Sequence, residues 1–137
     1  MANATPNPQR TILLVDDEPE VLHLVRRILS AEGTVMIEVG TGAEALAVAR
    51  QTRLDLVILD IKLPDMSGTE VLEGIRRIDP GVPVIMVTSY GSVETVRTSM
   101  MFGAFDYLTK PFDNQEVRRV AREALAWRAG GSVPSKA

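Results

Sequence analysis

Short apolar runs alternate with segments of helical period along most of this chain, and this alternation constrains the fold more than any other feature. The apolar runs cover residues 11–15, 34–39, 55–59, 83–87 and 104–108. Such alternation is typical of repeated βα units around a parallel sheet. Five strands and five helices in strict order predict an open, doubly wound α/β sheet.

Helix boundaries are marked by local signals between the runs. Pro19 after an acidic stretch indicates one start, and capping-box spacing indicates three more. These pairs are Thr41 with Glu44, Ser67 with Glu70, and Asp113 with Glu116. Gly33 and Gly103 are predicted helix ends. Met100, Met101 and Phe102 are either core residues or part of a partner surface, and their helical spacing favours the core. Trp127 lies beside an already apolar stripe and is an interface candidate, while the lone His23 is expected on the surface.

Composition excludes several classes of function. The 137 residues suit one domain, predicted over 11–128, with flexible tails or a linker start at 1–10 and 129–137. With no cysteine and one histidine, a metal here must prefer oxygen ligands. The net charge of -3 argues against direct nucleic-acid binding. No apolar run approaches the roughly 18 residues of a membrane span, so a cytoplasmic location is expected.

Polar residues follow the predicted strands where their carboxyl ends should meet. Asp16 and Asp17 follow the first run, Asp60 and Thr88 the third and fourth, and Lys110 the fifth. Three carboxylates repel one another unless a cation lies among them, and Mg²⁺ suits such a sparse acidic cluster. Asp60 is then a candidate nucleophile for a phosphoryl group, with the Lys110 ammonium and the Thr88 hydroxyl as donors to its oxygens.

The segments DD, ILDIKLPDMSG, VTS and YLTKPFD occur in an order that resembles the receiver domain of two-component response regulators. The resemblance spans about residues 11–128 and implies a flavodoxin-like sheet of order 2-1-3-4-5. It implies Mg²⁺ ligands from Asp16, Asp17, Asp60 and the main-chain carbonyl of Lys62, with phosphorylation at Asp60. Thr88 and Lys110 would contact the phosphoryl group, and the Lys110–Pro111 peptide would be cis.

The same resemblance implies a switch and its partners. Tyr107 would turn inward as Thr88 moves toward the phosphate, and the surface of the fourth helix, fifth strand and fifth helix would change. A sensor histidine kinase would supply the phosphoryl group, and an output domain or partner outside this chain would respond. GAFDYL with KPFD resembles receivers of nitrogen-regulation-type activators. A homodimer through the same surface is a further expectation, and the chain would not be a conventional enzyme.

Three alternatives remain open at this point. An aspartyl phosphatase is disfavoured because Lys62 stands where haloacid-dehalogenase-type enzymes carry an acidic residue. A flavin or nucleotide binder is disfavoured because no glycine-rich cradle follows the first strand. A pseudo-receiver that only binds proteins is disfavoured because every expected site residue is present. A piece of a longer protein and a natural single-domain regulator are equally compatible with the sequence.

Overall fold

The computed structural model describes residues 9–30, 33–89 and 93–130, which form five strands and five helices in alternation. The strands are β1 (Arg10–Val15), β2 (Thr34–Val39), β3 (Leu56–Asp60), β4 (Val84–Thr88) and β5 (Asp106–Thr109). The helices are α1 (Pro19–Leu29), α2 (Gly42–Gln51), α3 (Gly68–Ile78), α4 (Val93–Met101) and α5 (Asn114–Arg128). None of these described helices has the length and apolar character needed to span a bilayer. The predicted tails fall mainly on residues 1–8 and 131–137, outside the described ranges.

All five strands are parallel, and their order is β2-β1-β3-β4-β5. This order confirms the flavodoxin-like sheet. Strands β3 and β4 each begin and end one residue later than predicted, and β5 begins two residues later and ends one residue later than the predicted run 104–108. Asp55 precedes β3 and uses its carboxylate to accept the Thr11 N–H at 2.8 Å. Pro83 lacks the N–H that a ladder position would donate. The shift makes Asp60 and Thr88 the last residues of their strands.

The core has two layers because successive strand residues point to opposite faces of the sheet. On one face, Leu14, Ile58 and Val87 pack with α1 and α5. On the other, Val15, Leu59 and Met86 pack with α2 and α3. Every residue of β3 and β4 is buried, as expected for central parallel strands. The sheet therefore holds its carboxyl edge rigidly between two packed layers.

The predicted helix starts are confirmed, and Gly103 lies just past the end of α4 as predicted. The prediction of a helix end at Gly33 is wrong, because α1 ends at Leu29 with Ser30 as its C-cap and Gly33 directly precedes β2. Thr41 accepts a hydrogen bond from the Glu44 amide, and Ser67 with Glu70 forms a full capping box. Asp113 caps α5 by accepting the Gln115 amide. Gly33 and Gly103 have φ of 79° and 95°, a left-handed conformation that glycine adopts without steric cost.

The prediction of core positions for Met100, Met101 and Phe102 is wrong. Their exposed fractions are 40%, 80% and 41%. Ser99 and Ala104 take the buried positions at this end of α4, so the three large side chains turn to solvent. Trp127, the interface candidate near the end of α5, is 39% exposed, and its ring centroid lies 5.8 Å from that of Phe105.

The last turn of α5 is fastened to the turn after α3. The Arg128 guanidinium forms an ion pair with Asp79 and donates from Nε to the Leu54 carbonyl at 3.2 Å. Partial burial raises the pKa of Asp79. The hydrogen bonds from Arg128 and from the Gly81 amide outweigh that effect, so the pKa lies below its usual value.

Because the folded state lowers this pKa, the pair stabilises the protein above the usual carboxyl pKa near 4, and the stabilisation is lost as pH falls through the lowered value. We expect Asp79→Asn to reduce the free energy of unfolding by about 1 kcal/mol at pH 7 and by less at pH 3. Urea unfolding at both pH values measures this difference. Glu116→Gln, in an exposed α5 pair, should have little effect at either pH. An equal loss from Asp79→Asn at both values would contradict the prediction.

Candidate functional site

The predicted site residues lie together at the carboxyl edge of the sheet. Asp60 and Thr88 end β3 and β4, Asp16 follows β1, and Lys110 follows β5. Backbone hydrogen bonds continue just past the strands, from the Asp16 amide to Val39 O (3.1 Å) and from the Lys110 amide to Thr88 O (2.8 Å). These bonds fix the starts of the loops, so the site is built on rigid backbone. The Lys110–Pro111 peptide is cis, as predicted.

Three carboxylates form an acidic cluster at this edge. Ligand oxygens of Asp16, Asp17 and Asp60 all lie within 4.8 Å of one another. Asp16 and Asp60 are buried, at 4% and 5% exposed, whereas Asp17 faces solvent. An all-oxygen, partly solvated donor set of this kind fits a hard divalent cation such as Mg²⁺. The Lys62 amide donates to Asp60 Oδ1 at 2.9 Å, which places the Lys62 backbone beside the cluster; the ligand role of its carbonyl stays a prediction.

Lys110 supplies the positive charge that balances these carboxylates. Its Nζ lies 3.0 Å from Asp16 Oδ2 and 2.9 Å from Asp60 Oδ2. A third contact, 2.8 Å to Glu18 Oε1, completes the arrangement. Burial alone would lower the pKa of Lys110, but the three carboxylates together raise it above its usual value. The ammonium is therefore held protonated between the two buried aspartates.

The environment of Asp16 opposes its ionisation. Burial raises the pKa of Asp16 to about 6, and the neighbouring Asp60 adds to the effect. The Glu18 amide, which donates to Asp16 Oδ1 at 2.9 Å, and the Lys110 ammonium limit the rise. A buried carboxyl group with a raised pKa beside another carboxylate is typical of functional sites. Here the crowding indicates a place where additional positive charge would be favoured.

Glu18, which contacts Lys110, is a site residue that the sequence analysis missed. It was included only in the acidic stretch before Pro19, as a signal for the start of α1. Its carboxylate is 59% exposed and reaches the Lys110 ammonium from the mouth of the site. The available signal was a third acidic residue directly after Asp16 and Asp17 at the same sheet edge.

Thr88 and Tyr107 lie on adjacent strands beside this cluster. Thr88 is 6% exposed and ends the strand between β3, which carries Asp60, and β5. Tyr107 pairs with Met86 in the β4–β5 register and is 42% exposed. The ring is thus turned substantially toward solvent. The coupled movement of the two side chains stays a prediction.

Comparison with known proteins identifies close relatives over most of the chain. The family model described as response regulator receiver domain matches residues 12–122. The protein named "Probable transcriptional regulatory protein TcrX" from Mycobacterium tuberculosis is 44% identical over 107 residues, covering 78% of this chain and 46% of the relative. Sporulation initiation phosphotransferase F of Bacillus subtilis is 35% identical over 114 residues, covering 83% of this chain and 92% of the relative.

A solved structure agrees with the topology. The CheY-like response regulator receiver domain protein of Methanospirillum hungatei superposes with a TM-score of 0.83 at 36% identity, covering 89% of this chain and 98% of that one. The chain spans only 26% to 46% of the length of several transcriptional regulators that it matches. The similarity therefore concerns one domain of those longer proteins.

Proposed function

The chain belongs to the response regulator receiver domain family, and from this premise we propose that it is a Mg²⁺-dependent phosphoryl switch with Asp60 as the acceptor. One observation carries the proposal. The buried Asp60 carboxylate lies within reach of two further carboxylates and 2.9 Å from the Lys110 ammonium, at one rigid sheet edge. Receiver domains act in signalling and are not classical enzymes, so the chemistry proposed is self-modification.

Asp16, Asp17, Asp60 and the Lys62 carbonyl would hold Mg²⁺. When bound, the ion supplies positive charge against the carboxylates and the phosphoryl oxygens. The donor set supports this assignment because its oxygens are close together and partly open to water. The raised pKa of Asp16, caused mainly by burial and further by the neighbouring Asp60, is consistent with a site that takes up positive charge.

The transfer itself uses groups of this chain. An Asp60 carboxylate oxygen forms a bond to phosphorus as the bond between phosphorus and the donor breaks, and the donor group leaves with the electron pair. Lys110 is already beside the acceptor and can turn from Glu18 toward the incoming phosphoryl oxygens. The Thr88 hydroxyl donates from the neighbouring strand. Water later releases the phosphate and restores the Asp60 carboxylate.

The proposed output surface consists of α4, β5 and α5. Large exposed apolar side chains among the described residues are Val35, Met100, Met101, Phe102, Tyr107 and Trp127. All except Val35 belong to α4, the turn after it, β5 or α5. Phosphorylation adds about -1.5 to -2 charges next to Thr88, at one end of this surface. A shift between mostly inactive and mostly active populations needs a differential interaction of about 5 kcal/mol, which several charge-assisted hydrogen bonds can supply.

We expect Thr88→Val to separate phosphorylation from the switch. The variant keeps the shape of the buried side chain but loses the hydroxyl that would follow the phosphoryl group. Asp60 should still take up the phosphoryl group, while the ring resonances of Tyr107 should keep their unphosphorylated positions in NMR spectra. Thr109→Val, on the exposed neighbouring position of β5, is the matched control and should switch like the native chain. A native-like Tyr107 response in Thr88→Val would contradict the coupling.

The partners follow from the same proposal. A sensor histidine kinase donates the phosphoryl group, and an output domain or separate protein reads the α4-β5-α5 surface. The name of one relative, a sporulation initiation phosphotransferase, supports phosphoryl chemistry, and the names of several others support transcriptional output. Homodimerisation through this surface, a cytoplasmic location and the absence of direct nucleic-acid or membrane binding complete the proposal.

Intact-mass measurement tests this function on the native chain. Incubation with acetyl phosphate and Mg²⁺ should give one phosphoryl adduct per chain, and a chelator should prevent it. No adduct from a folded, Mg²⁺-binding protein, with acetyl phosphate or with a phosphorylated histidine kinase, would favour a protein-binding pseudo-receiver. Steady turnover of a phosphate ester would instead indicate a phosphatase.

A further inference from the structure

The loop after Asp60, residues 61–67, is a compact hairpin between β3 and α3. Lys62 and Ser67 form an antiparallel bridge, and the Gly68 amide donates to Ile61 O at 2.7 Å. A Cβ at Gly68 would lie 2.5 Å from Asp60 O, so the hairpin closes tightly against the end of β3. The bridge and the hydrogen bond therefore hold the loop that carries Lys62 in one compact arrangement. The outer part of this hairpin contains Asp65, whose carboxylate accepts hydrogen bonds from another element.

Asp65 binds the first turn of α2, which is a different element. Its Oδ1 accepts the Gly42 amide at 2.8 Å, and its Oδ2 accepts the Ala43 amide at 2.9 Å. The hydrogen bonds from the Gly42 and Ala43 amides lower the pKa of Asp65 below its usual value. The carboxylate is thus ionised at neutral pH, and negative charge at a helix N-terminus is favourable. Thr41 accepts the next amide, that of Glu44, so α2 carries two separate caps.

Packing reinforces this link. Met66 follows Asp65 in the hairpin and lies over Gly42, where an added Cβ would be only 2.5 Å from Met66 Cγ. Glycine at this position lets the hairpin approach the helix backbone closely. The hairpin and α2 are therefore joined by both hydrogen bonds and direct packing.

The start of α2 is in turn attached to the acidic pair. Val39, the last residue of β2, accepts the Asp16 amide at 3.1 Å. A Cβ on Gly40, between β2 and α2, would lie 3.8 Å from Asp16 O and 3.9 Å from Asp17 Cα. Contacts thus run from Asp16 through the β2–α2 turn to Asp65 and back to the hairpin. The Asp65 hydrogen bonds are the last link in this series of contacts beside the carboxylate cluster.

We infer that Asp65 is a positioning residue for the metal site, holding the hairpin of Lys62 at a set distance from Asp16 and Asp17. The inference rests on the proposed Mg²⁺ site and adds a residue to it. Without the Asp65 contacts, the Lys62 carbonyl and the Asp60 backbone can sample more positions relative to the acidic pair. Part of the binding free energy of the ion is then spent on ordering the loop, and affinity falls.

An Mg²⁺ titration followed by amide chemical shifts tests the inference without any phosphoryl transfer. Asp65→Ala is expected to weaken Mg²⁺ binding about tenfold. Asp65→Asn keeps one acceptor oxygen and should give an intermediate loss. Thr41→Ala is the matched control, because it removes the other cap of α2 and leaves both Asp65 hydrogen bonds in place; its affinity should be native.

The outcomes are distinguishable. Native affinity in Asp65→Ala, or an equal loss in Thr41→Ala, would overturn the positioning role, because the second result would mean that only the stability of α2 matters. If Asp65→Ala does not fold, the Mg²⁺ affinities of the native chain, Asp65→Asn and Thr41→Ala are compared instead. A loss of affinity in Asp65→Asn alone would support the positioning role, and native affinity in that variant would overturn it. A native chain that binds no Mg²⁺ would overturn the proposed function itself. If the native chain binds Mg²⁺ and the Asp65 variants bind it with the same affinity, only this inference is overturned.

Discussion

Asp60→Asn is expected to abolish the phosphoryl adduct completely. An amide cannot form the acyl phosphate, and no other carboxylate of the cluster combines burial with both the Lys62 amide and the Lys110 ammonium as partners. The asparagine Oδ1 can still accept the Lys62 amide, so the fold should be retained. Intact mass after incubation with acetyl phosphate and Mg²⁺ measures the loss, with circular dichroism as the check on folding.

Asp55→Asn provides the matched control at the opposite end of the same strand. Asp55 accepts the Thr11 amide at 2.8 Å, and asparagine can keep that hydrogen bond. This variant should be phosphorylated like the native chain. An adduct that persists in Asp60→Asn would assign the acceptor to another residue.

Lys110→Met is expected to have the second largest effect, on both stability and rate. The substitution leaves the buried Asp16 and Asp60 without their cation, and breaking a buried ion pair from one side typically costs about 3 kcal/mol. Mg²⁺ should restore part of this free energy of unfolding, because it supplies positive charge to the same carboxylates. Adduct formation should slow about 100-fold, since one donor to the developing phosphoryl charge is lost. Urea unfolding with and without Mg²⁺, and the time course of the adduct, measure the two effects.

Lys62→Met is the control for a lysine beside the site. Its side chain is exposed, and such substitutions usually change stability by less than about 0.5 kcal/mol. A Lys110→Met protein with native stability in the absence of Mg²⁺ would contradict the charge-balancing role of Lys110.

The fold class could be predicted from the alternation of apolar runs and helical stripes, because burial on both faces leaves a continuous apolar signal in β3 and β4. The strand order came from the resemblance to receiver domains, since pairing between distant strands leaves no local trace. Boundary errors arose at Asp55 and Pro83, where one side-chain hydrogen bond and one missing N–H shift the strands by a residue. Met100 to Phe102 were misplaced because helical spacing alone does not say which stripe faces the sheet.

The site was predictable where its residues end strands or directly follow them. Asp16, Asp60 and Thr88 meet because parallel strands present their carboxyl ends at one edge, whatever the details of the loops. Glu18 and Asp65 were not assigned roles at the site, since each acts through a contact between separate loops. Glu18 contacts Lys110, and Asp65 contacts α2, only because of the conformations of their loops. Local sequence signals do not report these conformations.

The most direct test of the central claim is to locate the phosphoryl group by reductive trapping. Borohydride reduces an aspartyl phosphate to homoserine and releases phosphate, and peptide mass spectrometry then identifies the modified position. After incubation with acetyl phosphate and Mg²⁺, homoserine should appear at position 60 and should be absent when a chelator is present. Homoserine at position 16 or 17, or a phosphoryl adduct that yields no homoserine, would contradict the assignment of Asp60 as the acceptor.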